Sequence, residues 1–404
     1  MRALGYISHP GQAAEDRLAG RDGLVGQRPD EVAPGYALIT LLPDATAKLV
    51  DTQGETVRTW RDPDARHWAR SMLLDNGDLM VKGRLKASRQ PQARAARGGG
   101  SPATDPLDGR PWYPQAGHYL ARYSWDGDLE WRRGAIVHHE FEIDEAGRIL
   151  TLGLGDRVVG EDLRIVDHTI KVLSPEGKRL RRYSLFDLLS SNPSIFKLPL
   201  TTDHPAALLK NGRLDLLHSN AVARMPFEAL RARGGIYCQS CVLVTVRHQN
   251  LIAVIDLEAE RLLWVWGPGE LQFPHEGRWL ESGNILVFDN GSERRGYSRV
   301  VEVEPQTGEI VWSYRASSPR TFYTEGRGTS QGLEGGNVLI ASSNQGKIFE
   351  VTREGRVVWI YVVRGREGTL VANRALKYPP SKIEPLLGIS AGRSAGAEAR
   401  GSAP

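Results

Sequence analysis

The stretch PHEGRWLESGNILVFDN, residues 274–290, contains the pattern that decides the fold. It reads as His-Glu, a short run, a turn that ends in glycine, and an apolar strand. The same pattern occurs in HHEFEIDEAGRILTL, residues 138–152, where His139 precedes its turn glycine by eight residues, as His275 does. Strand-like segments on either side of a glycine turn are typical of a β-hairpin. Two distant segments therefore share one frame, which indicates an internal repeat.

A second motif, a turn followed by apolar residues and an aromatic residue, recurs along the chain. Its six copies are QGETVRTW at 53–60, DGDLEW at 126–131, EGKRLRRY at 176–183, AERLLWVW at 259–266, TGEIVW at 307–312 and EGRVVW at 354–359. The aromatic residue follows the turn glycine, or Glu260 in one copy, by four or six residues. Both offsets are even, so the ring falls on the same face of an extended strand in every copy.

These repeats predict an all-β fold. The strands between the turns are short and rich in Val, Ile and Leu, and helical periodicity is almost absent. The last motif aromatics lie about 47 residues apart, which matches one propeller blade. We therefore predict a six-bladed β-propeller of antiparallel four-stranded meanders, because a solenoid of the same meanders would need capping ends that are not evident. The predicted blades lie near residues 36–60, 66–132, 138–184, 218–266, 275–314 and 327–362.

The predicted propeller domain spans residues 34–387. It follows an N-terminal extension at 1–33 and precedes a tail at 388–404, whose Ala, Gly, Ser and Arg content predicts disorder. Longer steps in the repeat place insertions at 84–116, which we expect to be flexible, and at 186–216. Residues 371–387 follow the last blade and either pack across the ring or supply a closing strand.

Composition narrows the function. The chain has 52 Lys+Arg and 48 Asp+Glu, a formal charge of +4 and a pI near 9.0. This excess is too small to indicate a nucleic-acid partner. Cys238 and Cys241 are the only cysteines, and a local disulfide or two thiols are favoured over a metal or redox site, since zinc would need two more ligands. No apolar run reaches membrane-spanning length, so we expect a soluble chain.

Three histidines open three consecutive predicted blades: His139, His218 and His275. The first strand of a propeller blade lines the central channel, so we expect these imidazoles to converge at one mouth. Two further residues are expected at the same mouth. Arg247 lies at the end of a strand in the middle blade, and Thr329 lies at the corresponding position of the last blade. An arginine fork suits sulfate or phosphate better than it tolerates a nearby dication, which favours an oxyanion site over zinc. In the alternative, each histidine only caps a turn of its own blade.

At these residues the chain resembles the arylsulfotransferase family of six-bladed propellers that use no nucleotide sulfate donor. The resemblance covers roughly residues 34–387. Its marks, in chain order, are PGYALITLLPDATAKLVDTQGETVRTW, the HHE of HHEFEIDEAGRIL, HSNAV, LVTVRHQNLIAVID, PHEGRWLESGNILVFDNG, RGTSQ and RALKYPP.

The resemblance implies sulfuryl transfer from an aryl sulfate to a phenol through a sulfohistidine, with ping-pong kinetics and without a cofactor or a metal. His275 is the nucleophile that it implies. It also implies that the sulfuryl and phenolic oxygens are surrounded by His139, His218, Arg247, Asn220 and Thr329. The family acts outside the cytoplasm, in the periplasm or beyond the cell, although no signal peptide is evident in this chain. A homodimer is compatible with this assignment.

Two other functions stay open at this stage. A non-catalytic propeller that binds a protein or a glycan would explain the insertion at 84–116, because this fold supports many unrelated functions. A quinoprotein would explain the repeated strands that run from glycine to tryptophan, but six copies and the lack of an evident calcium cluster count against it.

Overall fold

A computed structural model describes residues 22–42, 44–86, 117–134, 137–204, 207–209, 212–364 and 372–389. In chain order the first strands are β1 (Gly23–Gln27), β2 (Tyr36–Leu41), β3 (Thr46–Val50), β4 (Thr56–Arg61), β5 (Ala65–Leu73), β6 (Leu79–Leu85), β7 (His118–Tyr123) and β8 (Leu129–Gly134). They continue with β9 (His138–Ile143), β10 (Ile149–Val159), β11 (Leu163–Leu173), β12 (Arg179–Ser184), β13 (Ser219–Arg224), β14 (Cys241–Val246), β15 (Leu251–Asp256) and β16 (Arg261–Trp266). The last are β17 (His275–Trp279), β18 (Ile285–Asp289), β19 (Arg299–Val303), β20 (Ile310–Tyr314), β21 (Thr329–Gly332), β22 (Val338–Ser342), β23 (Lys347–Val351), β24 (Val357–Val362) and β25 (Ala372–Tyr378).

The strands form six antiparallel sheets, and these are the blades of a six-bladed β-propeller. Blades 2 to 5 are the consecutive meanders β5–β8, β9–β12, β13–β16 and β17–β20. The all-β prediction is therefore confirmed. Helices are few and short: Leu185–Ser190, Glu228–Arg231 and Pro380–Ile383 in the described residues. None of them combines the length and the apolar character needed to span a bilayer.

Both ends of the chain close the ring. Strand β25 pairs with β2, so blade 1 has the order β25-β2-β3-β4 and takes its first strand from the C-terminal region. Strand β1 pairs with β24 and adds a fifth strand to blade 6, although residues 23–27 fall within the predicted N-terminal extension. Within the predicted segment 371–387, β25 thus supplies a closing strand, the second of the two alternatives. Residues 87–116 of the predicted insertion and 390–404 of the predicted tail lie outside the described residues.

In four of the six copies of the motif, the indole of the aromatic residue is hydrogen-bonded to the next blade. The indole Nε1 of Trp60 in blade 1 donates to the carbonyl of Ser124 in blade 2 at 3.1 Å. Corresponding bonds link Trp266 to Gly308, Trp312 to Arg353 and Trp359 to Thr52, at 2.8–2.9 Å. The last of these joins blade 6 back to blade 1. A buried indole N–H needs a partner, and a turn carbonyl of the neighbouring blade provides it.

Buried apolar clusters fill the space between blades. One cluster combines Leu152 and Ile170 of blade 3 with Val244 and Ala253 of blade 4, all of them fully buried. A disulfide joins Cys238 and Cys241 at the start of β14, in agreement with one of the two alternatives for these residues.

Candidate active site

β-Bulges interrupt the pairing at the starts of two channel-lining strands, β9 and β17. In β10 Thr151 pairs with Phe141 but Leu152 pairs with His138, so His139 and Glu140 are left outside the ladder. In the same way, His275 and Arg278 pair with β18 and the two residues between them bulge. A bulge redirects side chains and often lies beside an active site.

Three residues at these strand starts have left-handed backbone conformations that are uncommon outside glycine. They are His139 with φ 55°, His218 with φ 42° and Glu276 with φ 40°. Such conformations cost free energy and persist only where the surroundings enforce them, and they cluster at functional sites.

His275 is held in one tautomer by Asn290. The Asn290 amide nitrogen donates to the carbonyls of Thr324 and Arg327 at 2.7 and 2.8 Å, so its oxygen must face His275. That oxygen lies 2.7 Å from Nδ1 of His275, which is therefore the protonated nitrogen. Nε2 carries the lone pair and accepts a hydrogen bond from the backbone N–H of Arg327 at 3.1 Å.

The imidazole of His275 is neutral at pH 7. Its side chain is buried, with 6% of the residue exposed. Burial holds the pKa of His275 well below its usual range, and the positive charge of Arg247 lowers it further. A buried, neutral and oriented imidazole with an unprotonated Nε2 can act as a nucleophile.

Asp215 orients a second imidazole, that of His218. One carboxylate oxygen lies 2.6 Å from Nδ1 of His218, and the other accepts from its backbone N–H and lies 2.9 Å from Nε2 of His168. Burial acts to raise the pKa of Asp215, but the hydrogen bonds from His168 and His218 outweigh it and hold this pKa well below its usual range. Because the carboxylate is hydrogen-bonded to Nδ1, Nε2 of His218 is available for proton transfer.

The imidazoles of His139 and His218 belong to a larger group of stacked and edge-packed imidazoles, which we call the histidine cluster. Their centroids lie 5.2 Å apart, and His138 contacts His139 at 4.0 Å. On the other side His218 stacks on His248 at 4.5 Å, and His248 stacks on His204 at 4.0 Å. Burial is the main cause that lowers the pKa of His248 to about 3 and that of His204 to about 4, so both rings are uncharged at neutral pH.

Arg247 carries the positive charge beside this cluster. Its guanidinium lies 3.2 Å from Nε2 of His248, contacts Nε2 of His204 and stacks over the ring of Phe273. The Nε of Arg247 is buried and has no hydrogen-bond partner among the described residues. The guanidinium therefore has a donor left for an anion.

Two cavities meet at Arg247. The first has a volume of about 270 Å³ and is lined by His138, Leu154, Val166, His168, His204, Leu209, Asp215, His218, Arg247 and His248. The second, of about 280 Å³, is lined by Arg247, Glu325, Gly326, Arg327 and Asn344. The first combines apolar walls with convergent polar groups, as small-molecule sites do.

The predicted site residues come together in part. His139, His218 and Arg247 lie around one cluster, and the charge of Arg247 acts on His275. Asn220 donates its amide nitrogen to the carbonyl of Pro274 at 2.8 Å and so holds the backbone next to His275. Thr329 is buried at the start of β21, and its hydroxyl makes no hydrogen bond within the described ranges.

Several members of the site were not predicted from the sequence. His168 and Asp215 did not enter the prediction, and Asn290 was quoted only as the end of a repeat. The repeat pattern did not single out His138, His204 or His248. Two signals were available: Asp215 stands three residues before His218, and His248 follows Arg247 directly. His168 lies within a long apolar strand, where an inward-facing histidine requires a polar partner.

A metal is the competing use of these side chains. Asp215, His218 and His248 offer ligand atoms within 4.8 Å of one another. The atoms are already hydrogen-bonded, since Nδ1 of His218 contacts the Asp215 carboxylate and Nδ1 of His248 contacts the Asp215 carbonyl at 2.6 Å. The guanidinium of Arg247 beside His248 repels a cation. The donor set therefore fits an anion better than a divalent ion.

The glutamates that follow His139 and His275 form a buried ionic cluster. Glu140 pairs with Arg70 and Arg374, and Glu276 pairs with Arg278, with Arg374 at 2.9 Å and with Arg70 at 3.4 Å. These residues come from four blades, which the cluster joins across the channel. We refer to these five residues as the axial ion cluster.

Comparison with known proteins finds one family model that matches the chain and several similar structures. The family model described as Arylsulfotransferase (ASST) matches residues 122–364. No curated protein matches the chain. Among solved structures, a protein of unknown function from Bacteroides caccae is similar with 12% identity and a TM-score of 0.47, over 85% of this chain and 99% of that one. A streptogramin B lyase is similar with 12% identity and a TM-score of 0.43, over 92% and 96%.

Proposed function

This chain belongs to the arylsulfotransferase family, and we propose that it moves a sulfuryl group from an aryl sulfate to a phenolic acceptor through a sulfohistidine at His275. The observation that carries the proposal is the fixed imidazole of His275. Asn290 holds the proton on Nδ1, burial keeps the ring neutral, and the lone pair on Nε2 faces away from Asn290.

In the first half-reaction Nε2 of His275 attacks sulfur as the backbone N–H of Arg327 releases it. The N–S bond forms, the bond between sulfur and the aryl oxygen breaks, and the departing phenolate takes the Nε2 proton of the His218 imidazolium, which becomes a neutral imidazole. In the second half-reaction that imidazole takes the proton of the acceptor phenol, whose oxygen attacks sulfur, and the N–S bond breaks. The covalent intermediate separates the two substrates in time, so the kinetics are ping-pong.

The surrounding groups stabilise the charge that moves during each step. Arg247 donates to the sulfuryl oxygens, and loss of one such preorganised donor costs about 3 kcal/mol of transition-state stabilisation. His139 and Thr329 contribute further polar contacts. Asn220 keeps Pro274, and with it the backbone of His275, in place.

The cavity favours aryl groups with a single ring. Its volume of about 270 Å³ is slightly below the range of about 300–1,000 Å³ found for drug-sized ligands. Leu154, Val166 and Leu209 supply apolar contacts to the ring, and His218 and Arg247 lie at its polar side.

A mass spectrum of the protein after exposure to an aryl sulfate alone tests the proposal. We expect a sulfuryl adduct that peptide mapping places on His275, and release of the adduct when a phenol is added. His275→Asn abolishes the adduct, whereas His118→Asn, a histidine on β7 outside the cluster, retains it. A wild-type protein that forms no adduct, or an adduct that survives in His275→Asn, contradicts the mechanism, and the absence of any transfer favours the non-catalytic binding module.

A further inference from the structure

One face of blade 2 changes from apolar to cationic along its strands. Strands β5 and β6 pair Met72 with Met80 in one row and Arg70 with Lys82 in the next row toward the mouth. Directly paired residues share a face of the sheet. Met80 packs with Phe141 of blade 3, and the guanidinium of Arg70 lies over the same ring. Lys82 therefore lies on the face that meets blade 3, nearer to the mouth than the apolar row.

Lys82 is a buried cation without a counter-ion. Only 7% of the residue is exposed, and its ammonium makes no hydrogen bond and no ion pair within the part of the chain that the structure describes. The nearby carboxylates are engaged elsewhere, because Glu140 and Glu276 already pair with arginines of the axial ion cluster. Burial lowers the pKa of Lys82 to about 8, helped by Arg374 and opposed by Glu140. A buried ammonium is costly unless an anion compensates it.

An unsatisfied polar atom also lies at the start of β9, in the adjacent blade 3. Nε2 of His139 is buried and has no hydrogen-bond partner among the described residues. Strand β9 contacts β5 of blade 2, and the charge of Lys82 contributes to lowering the pKa of His139 and of His138. His139 in turn contacts His218 at 5.2 Å between ring centroids. Two unused polar groups thus lie on adjacent blades, His139 within the histidine cluster and Lys82 on the face of blade 2 that meets blade 3.

We propose that Lys82 and His139 form an oxyanion-binding position between blades 2 and 3, where the Lys82 ammonium contacts a sulfuryl oxygen of the substrate. The identity of the anion rests on the proposed function, whereas the existence of the position rests on the two unsatisfied groups. An oxyanion would supply the negative charge that Lys82 lacks among the described residues. Hydrogen bonds between ionised partners are also stronger than those between neutral ones. This role makes Lys82 a further substrate-binding residue for sulfuryl transfer.

Calorimetric titration of the full chain with sodium sulfate tests the proposal. Lys82→Met should weaken sulfate binding by about 10- to 100-fold, whereas Lys82→Arg, which keeps the charge, should retain most of it. Lys171→Met is the matched control, because Lys171 is a partly buried lysine of blade 3 whose pKa burial also lowers to about 8. We expect this control to bind sulfate within about twofold of the wild type.

Thermal unfolding separates binding from structure. Removal of an uncompensated buried charge should leave the Tm of Lys82→Met unchanged or raise it, and a purely structural lysine would lower it. Sulfate binding that Lys82→Met leaves intact, a wild type that binds no sulfate, or a Lys82→Arg variant as weak as Lys82→Met overturns the proposal.

The same variants distinguish this inference from the proposed function. Sulfate affinity that depends on Lys82 in the His275→Asn background supports the oxyanion position even if no sulfohistidine forms. Conversely, a sulfohistidine that forms at the wild-type rate in Lys82→Met overturns the oxyanion position and leaves the transfer mechanism standing.

Discussion

The amide oxygen of Asn290 lies 2.7 Å from Nδ1 of His275, and this contact decides which nitrogen of the imidazole carries the lone pair. The amide cannot turn over, because its nitrogen is bound to two backbone carbonyls, those of Thr324 and Arg327. The reactivity of His275 therefore depends on a residue fifteen positions further along the chain, which follows β18 and lies beside His275 at the open end of the hairpin.

Asn290→Ala should slow formation of the sulfohistidine. Without the amide, both tautomers of His275 become accessible and the ring can rotate. We expect a rate loss of roughly 10- to 100-fold, the range typical of groups that orient a ligating histidine. Rapid-quench mass spectrometry after mixing with an aryl sulfate measures it, and an unchanged rate would show that the tautomer is fixed in another way. Asn284→Ala, at an outer turn of the same blade, is the control.

Asp215→Asn should impair proton transfer by His218. The new amide nitrogen can donate to Nδ1 of His218, which would favour the tautomer with the proton on Nε2. We expect a loss of about 10²- to 10⁴-fold, the usual contribution of general acid–base catalysis. The loss should be greatest for donors whose phenolate is a poor leaving group. Asp187→Asn, in an exposed ion pair with Arg157, should have little effect. Equal losses for good and poor leaving groups would argue against this role.

The histidine cluster should make the protein labile to acid. His204 and His248 have folded-state pKa values of about 4 and about 3, below the value of about 6.5 in the unfolded chain. Between about pH 6.5 and 4 the unfolded state thus binds more protons, and the free energy of unfolding falls as the pH falls. The slope is about 1.4 kcal/mol per pH unit for each such histidine. Urea unfolding at several pH values measures it. His248→Asn should reduce the slope, and stability that is constant across this window would contradict the prediction.

Arg374→Met should destabilise the propeller strongly. It leaves Glu140 and Glu276 buried with less positive charge around them, and breaking a buried ion pair costs about 3–5 kcal/mol. Arg28→Ala, in an exposed pair with Glu31, should cost less than about 1 kcal/mol. Denaturant unfolding compares the two. Adding Glu140→Gln to Arg374→Met should recover part of the loss, and a double variant that is no more stable would argue against the charge explanation.

The repeat was readable from the sequence because its signals are local. A turn glycine and an aromatic residue at an even offset identify each blade without knowledge of the rest, and the motif tryptophans do join neighbouring blades. The placement of β25 was not readable in this way. Which strand lines the channel in blade 1 depends on the edge that the whole ring leaves open, a property that residues 372–378 do not encode alone.

The candidate site was predictable only where its residues occupy corresponding positions of the repeat. His139, His218 and His275 were found because they occupy corresponding repeat positions. The repeat did not single out His204, because its own segment lacks a complete blade, yet from within the insertion at 186–216 it stacks on His248. Asp215 and Asn290 act through neighbours, and only the folded geometry shows which imidazole each one contacts.

Strand β25 also brings Arg374 to the channel, and this has a consequence for biosynthesis. The ribosome makes Glu140, Glu276 and every residue of the histidine cluster before it reaches Arg374, which pairs with both glutamates. A polypeptide cut short before residue 372 lacks both the innermost strand of its first blade and this cation. Truncated products should therefore be eliminated by proteases, and only complete molecules should assemble a competent centre.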